Sequence, residues 1–211
     1  MHTLTITGAA SELQGVGRLD GRAVFVPGAL PGETVEIEIV KKQERYMVAR
    51  LLHVLSPSPD RRAGDCRYAQ ECGGCQARHM TYELSLALKK QRVVDALQHI
   101  GGFPEPFVAD TLGMAQPERC RNKAEYAISG DKIGLRRVDD RSILPVEDCL
   151  LQKEGSVRAM GALRGWLKGH PSTPLKYLVT RVSRSGRSWP SSPTRAAGTP
   201  RRPRGRFPAQ K

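Results

Sequence analysis

Between Glu33 and Ile39 apolar and charged residues alternate almost perfectly. Val35, Ile37 and Ile39 fall on one side and Glu36 and Glu38 on the other, the period of a half-buried strand. Short strand-like runs also occupy 4–7, 22–26 and 46–55. Asp20-Gly21 is a hairpin signal, and Pro27-Gly28 and Pro31-Gly32 bracket a loop. Gly15-x-Gly17-x-x-x-Gly21 has the wrong spacing for a nucleotide loop and reads as a turn motif. Four or five short strands in so few residues bury an apolar face only by curling into a small barrel, which also removes exposed edges. Residues 1–58 are therefore expected to form an OB-like β barrel.

The pattern changes after Pro57-Ser58-Pro59-Asp60. Thr81 is placed to N-cap a long helix that stops at Gly101-Gly102, with Leu86, Val93, Leu97 and Ile100 on one stripe. Strands are expected at 122–128, 132–137 and 142–146, giving a mixed α+β unit over 59–182. From Ser183 onward there is no Leu, Ile, Val, Met, Cys or Tyr, and residues 187–211 hold five Pro and seven Lys or Arg. Such a segment buries too little apolar surface to offset its ordering entropy, so 183–211 is expected to be a disordered basic tail.

Charge is distributed just as unevenly. The chain of 211 residues carries a formal charge of +13. Residues 1–155 hold 21 basic and 21 acidic side chains, and 156–211 hold 13 basic and no acidic ones. No run approaches the ~18 apolar residues of a membrane span, and the first residues lack a secretory pattern. A soluble, cytoplasmic protein with no membrane partner is expected.

Five cysteines, Cys66, Cys72, Cys75, Cys120 and Cys149, are an odd number clustered in one region, which in a reducing compartment favours metal ligation over a disulfide framework. Cys66, Cys72 and Cys75 lie within ten residues, and 73 residues separate Cys75 from Cys149. These four can close a thiolate site. Gly73-Gly74 allows the backbone to wrap tightly and aim N–H groups at sulfur, as an iron–sulfur cluster requires. Structural zinc competes, although zinc ribbons usually show two matched knuckles, and unrelated buried thiols are the plain alternative. His79 could ligate in principle. Cys120 reads as an inert half-buried thiol.

No Walker sequence, His-Glu-x-x-His or Gly-x-Ser-x-Gly occurs, and nothing local supports catalysis. Lys41 and Lys42, with Arg45, and Arg136 and Arg137, beside Arg141, are candidates for phosphate contact, with solvated surface charge as the alternative.

Taken in order, these motifs resemble the bacterial RNA (uracil-5-)-methyltransferases that act on ribosomal and transfer RNA. The run from Gly15 to Gly21 and on through Val24 to Glu33 is similar to that family's N-terminal TRAM domain, an OB-like RNA-binding barrel. Ser58-Pro59-Asp60-Arg61 followed by Cys66, Cys72-Gly73-Gly74-Cys75, His79 and Tyr82 resembles its 4Fe-4S loop. Cys149 stands where the remote fourth ligand belongs. Arg121-Asn122-Lys123 matches a basic segment of the cluster domain, which adds Arg121 and Lys123 to the RNA-binding candidates.

The likeness covers about residues 3–186. In the family a Rossmann-like domain follows, with an S-adenosylmethionine site, a cysteine that adds to uracil C6 and a base that removes the C5 proton. The resemblance therefore implies a shortened member, inactive alone, with a frameshift expected near 185–187; a natural basic arm is the alternative for the tail. Cys120 does not take the nucleophile's role. A stand-alone RNA-binding module, or a scaffold without an RNA role, are the other readings.

Overall fold

The computed structural model describes residues 1–183 and the backbone of 188–190. Five strands open the chain: β1 (His2–Ala9), β2 (Gly15–Leu19), β3 (Arg22–Val26), β4 (Thr34–Lys42) and β5 (Tyr46–Ser56). They close into a barrel in the order β1-β2-β3-β5-β4, with β4 returning to β1. All neighbours are antiparallel except β3 and β5. The alternating residues do as expected: Leu4, Ile6, Val24, Val26, Val35, Ile37, Met47 and Ala49 fill the interior.

The glycine motif is more than a turn. Asp20 (φ 50°) and Gly21 (φ 76°) make the two-residue turn that joins Leu19 to Arg22. Gly15 and Gly17, however, lie within β2, where β1 crosses too closely for a side chain. A Cβ on Gly17 would stand 2.6 Å from the Thr5 carbonyl oxygen and 2.8 Å from the Leu4 side chain.

Helix α1 (Tyr82–His99) begins where expected, with the Leu84 N–H donating to Thr81 Oγ1 at 3.2 Å. It ends as Gly101 and Phe103 donate back to the Ala96 and Leu97 carbonyls. Its apolar stripe does not enter a core. Val93 is 48% and Ile100 88% exposed, and Ser85 is the helix's one buried residue. α1 instead leans on the loop that follows it, where Thr111 Oγ1 donates to the Leu86 carbonyl and the Met114 N–H to Tyr82 Oη.

Strands β6 (Lys123–Ser129), β7 (Lys132–Arg136) and β8 (Ile143–Leu144) match the expected runs, the last one shorter. The pattern marks neither α2 (Glu154–Leu167) nor β9 (Tyr177–Val182). With β10 (Ser188–Pro190) these strands form an antiparallel sheet in the order β10-β9-β6-β7-β8, and α2 packs against it. Tyr126, Ile128, Ile133, Leu144, Val146, Met160 and Leu167 build this second core. The backbone of 188–190, expected to be disordered, pairs with β9. The rest of the expected tail, 184–187 and 191–211, lies outside the described residues.

A buried ion pair joins barrel to loop. Glu33 is completely buried, and Arg61 meets it with two nitrogens, Nε at 2.5 Å and Nη2 at 2.7 Å. The Leu30 and Ser58 N–H groups also donate to this carboxylate. Arg61 Nη2 spans to the Gly28 carbonyl at 2.7 Å, and Asp60 accepts from both the backbone and hydroxyl of Thr81. Residues 58–62 thus clasp the barrel to the loop and to the start of α1.

Candidate thiol centre and cationic cavity

Cys66, Cys72, Cys75 and Cys149 are all free and half-buried. The loop carrying the first three is coiled by hydrogen bonds from the Ala69 N–H to the Cys66 carbonyl and from the Cys72 N–H to the Tyr68 carbonyl. It is pinned to β7 where the Gly73 N–H donates to the Arg136 carbonyl at 3.0 Å. That bond turns the next amide inward, and the Gly74 N–H donates to Cys72 Sγ at 3.3 Å. Arg119 delivers the fourth thiol. Its two terminal nitrogens hold Asp148 at 2.7 Å each, and one also holds the Cys149 carbonyl at 2.9 Å.

The thiols share one neighbourhood electrically. Burial pushes the Cys72 thiol up, and Cys149 and Cys66 add to this. Burial does the same for Cys75, with Cys149 and Cys72 adding. The Arg121 charge opposes the rise at both. Among the described residues, however, no three or more His, Cys, Asp or Glu side chains form a group that could hold a metal ion. The four are neighbours without being a closed ligand shell.

His79 faces elsewhere. Burial lowers its pKa, with the Arg61 charge lowering it further and Glu33 opposing, which places the ring at the clasp. Its Nε2 is buried without a hydrogen-bond partner among the described residues.

The RNA-binding candidates are scattered. Lys41 and Lys42 are exposed at the end of β4, opposite Val48 and Met47. Lys123 is exposed at the start of β6, paired in register with Arg181. Arg136 Nη1 donates to the Arg141 carbonyl, and Arg137 is ion-paired with Glu71, so both have local structural work. Arg121 donates to the Gly74 carbonyl at 3.3 Å and alone of these lines a cavity beside the thiol loop.

That cavity has a volume of about 350 Å³ and lies between the thiol loop, α1 and the segment 114–121, with Leu13 of the barrel at one side. Sequence reasoning missed it because its residues come from five separate stretches. Arg62, Arg78, Lys89 and Arg121 line it, together with Cys75 and Cys120. Cys120 therefore borders the thiol centre without being one of its four members.

Residues 2–52 match the TRAM domain family. That range is the barrel short of the end of β5. Curated relatives extend the likeness beyond it. An uncharacterized RNA methyltransferase of Clostridium tetani is 35% identical over 171 residues, 79% of this chain and 37% of the relative. One of Halalkalibacterium halodurans is 33% identical over 196 residues, 86% of this chain and 43% of the relative. The chain thus spans well under half the length of these relatives. The crystal structure of the Pyrococcus abyssi tRNA (uracil-54, C5)-methyltransferase in complex with S-adenosyl-L-homocysteine superposes with a TM-score of 0.63 at 24% identity. It covers 88% of this chain and 44% of that one, so the fold continues through both units. Among the described residues no helix is long and apolar enough to cross a membrane.

Proposed function

We propose that this chain supplies the RNA-binding and iron–sulfur parts of an S-adenosylmethionine-dependent RNA (uracil-5-)-methyltransferase, acting in the cytoplasm on ribosomal or transfer RNA. The observation that carries it is the joint arrangement. A TRAM barrel is clasped through Glu33 and Arg61 to a loop carrying three thiols, and Cys149 adds to the burial-driven rise of the Cys72 and Cys75 thiols. Relatives named RNA methyltransferases are 33–35% identical over 79–86% of this chain, which supports the reading.

Cys66, Cys72, Cys75 and Cys149 would hold a 4Fe-4S cluster. The donor set fits: four thiols, an N–H already aimed at one sulfur, and the Arg121 charge alongside. A cluster spreads its thiolates around an inorganic core, whereas a single zinc draws every sulfur to about 2.3 Å of one point. Three clustered thiols and one remote one, without the two matched knuckles of a zinc ribbon, favour the former. The cluster's part is structural, tying the loop after the barrel to the segment after β8. S-adenosylmethionine would supply the methyl group, and no residue of this chain is assigned to it. The RNA contacts fall to Lys41, Lys42, Arg121, Lys123 and Arg136, with Arg137 secondary because Glu71 already pairs its charge.

Anaerobically purified protein is expected to be brown, with a broad absorbance near ~400 nm that Cys72→Ser abolishes. Colourless protein with stoichiometric zinc would refute the cluster. A version of the chain ending at residue 183 should prefer structured ribosomal or transfer RNA to a homopolymer. Equal affinity for both would count against specific recognition.

A further inference from the structure

The cavity beside the thiols has an asymmetric lining. Arg78 is already held by Asp65 and Glu118, so Glu118 adds no free negative charge. Arg62, Lys89 and Arg121 have no carboxylate partner among the described residues, and all three are exposed at the cavity. Leu13, Met80 and Met114 supply apolar surface on the same walls. Three cations outside any ion pair, with only Arg121 giving a hydrogen bond to the Gly74 carbonyl, stand over apolar walls and suit a ligand that is part anion and part flat apolar ring.

We propose that this cavity binds one nucleotide of a single-stranded RNA segment, its base against the Leu13, Met80 and Met114 surfaces and its phosphates toward Arg62, Lys89 and Arg121. A volume of about 350 Å³ lies within the usual ligand range, and is too large for an inorganic anion alone. A stacked duplex base has no access to such a concavity, whereas a splayed single-stranded base does. The proposal deepens the RNA-binding reading above and rests on it.

Cys120 is a natural reporter, a free half-buried thiol that lines the cavity outside the four-thiol set. The test uses the full chain, a labelled single-stranded oligouridylate, and iodoacetamide labelling of Cys120 read by mass spectrometry. The oligonucleotide is expected to slow Cys120 alkylation several-fold. Lys89→Ala and Arg62→Ala should each remove this protection and lower the slope of log affinity against log salt by about 0.7. Lys132→Ala, at the exposed first position of β7, should change neither. Unprotected Cys120 and unchanged slopes in both variants would overturn the cavity assignment, and RNA binding that persists in a chain ending at residue 183 would then leave the RNA-binding reading intact. Absence of RNA binding in every version, the full chain included, would overturn both. Uridine monophosphate protecting Cys120 as well as the oligonucleotide at equal concentration would overturn the RNA assignment in favour of a free nucleotide.

Discussion

Glu33 is a full charge with no exposed surface, which makes it the most consequential single side chain in the barrel. Burial alone would push its carboxyl up, but the Arg61 hydrogen bonds, the Leu30 and Ser58 N–H groups and the Arg61 charge outweigh this and hold it below 4.5. The folded chain therefore keeps Glu33 ionised at pH values where the unfolded chain would protonate it. Its contribution is fully present above about pH 4.5 and declines as pH falls through the lower folded value. Glu33→Gln should flatten that acid limb in urea titrations run at successive pH values. Arg61→Ala leaves the carboxylate buried and unpaired, with an expected loss of about 3–5 kcal/mol at pH 7. Gly17 makes a second residue-level test. Its absent Cβ would sit 2.6 Å from a backbone oxygen that has nowhere to move, so Gly17→Ala should cost about 1–3 kcal/mol by thermal unfolding. Gly8→Ala, where nothing lies within 4 Å, should be nearly neutral.

At the scale of elements, legibility followed how local each cause is. The alternation of β4, the Asp20-Gly21 turn and the Thr81 cap are set by neighbours in sequence, and the structure contains all three. β2 was hidden because its glycines answer to β1, a strand separated from it by a loop. α2 was hidden for a different reason. Gly155, Gly161 and Gly165 weaken its helical pattern, and Lys153 at its start offers no side-chain cap. It is held instead by the sheet, through Met160, Leu167 and the hydrogen bond from Thr180 Oγ1 to Ser156 Oγ at 2.8 Å. The stripe on α1 is periodic yet exposed, because periodicity shows which residues share a face and not whether a partner covers it. The spacing of Cys66, Cys72, Cys75 and Cys149 was a feature of the sequence alone, while the cavity near Cys75 was not legible there, since Arg62, Lys89 and Arg121 come to line one cavity only through the fold.

Across the whole molecule, charge and chain order set the remaining expectations. Residues 184–211 carry eight Lys or Arg and no acid, so they add a polyanion affinity that owes nothing to the barrel. Ending the chain at residue 183 should lower the salt slope for single-stranded RNA by up to roughly 0.7 for each of those eight charges, while any protection of Cys120 persists. Comparing the two versions by fluorescence anisotropy across a salt series checks this directly. Chain order also imposes a timetable on the thiol centre. Cys149 follows Cys75 by 74 positions, and a ribosome moving at about 5–20 residues per second takes roughly 4–15 s to cover them. Through that interval Cys66, Cys72 and Cys75 of the nascent chain precede both Cys149 and the β7 strand that pins their loop through Arg136. Under the proposed cluster reading, oxygen-limited expression should therefore raise the brown fraction more than anaerobic purification alone, which absorbance near ~400 nm checks.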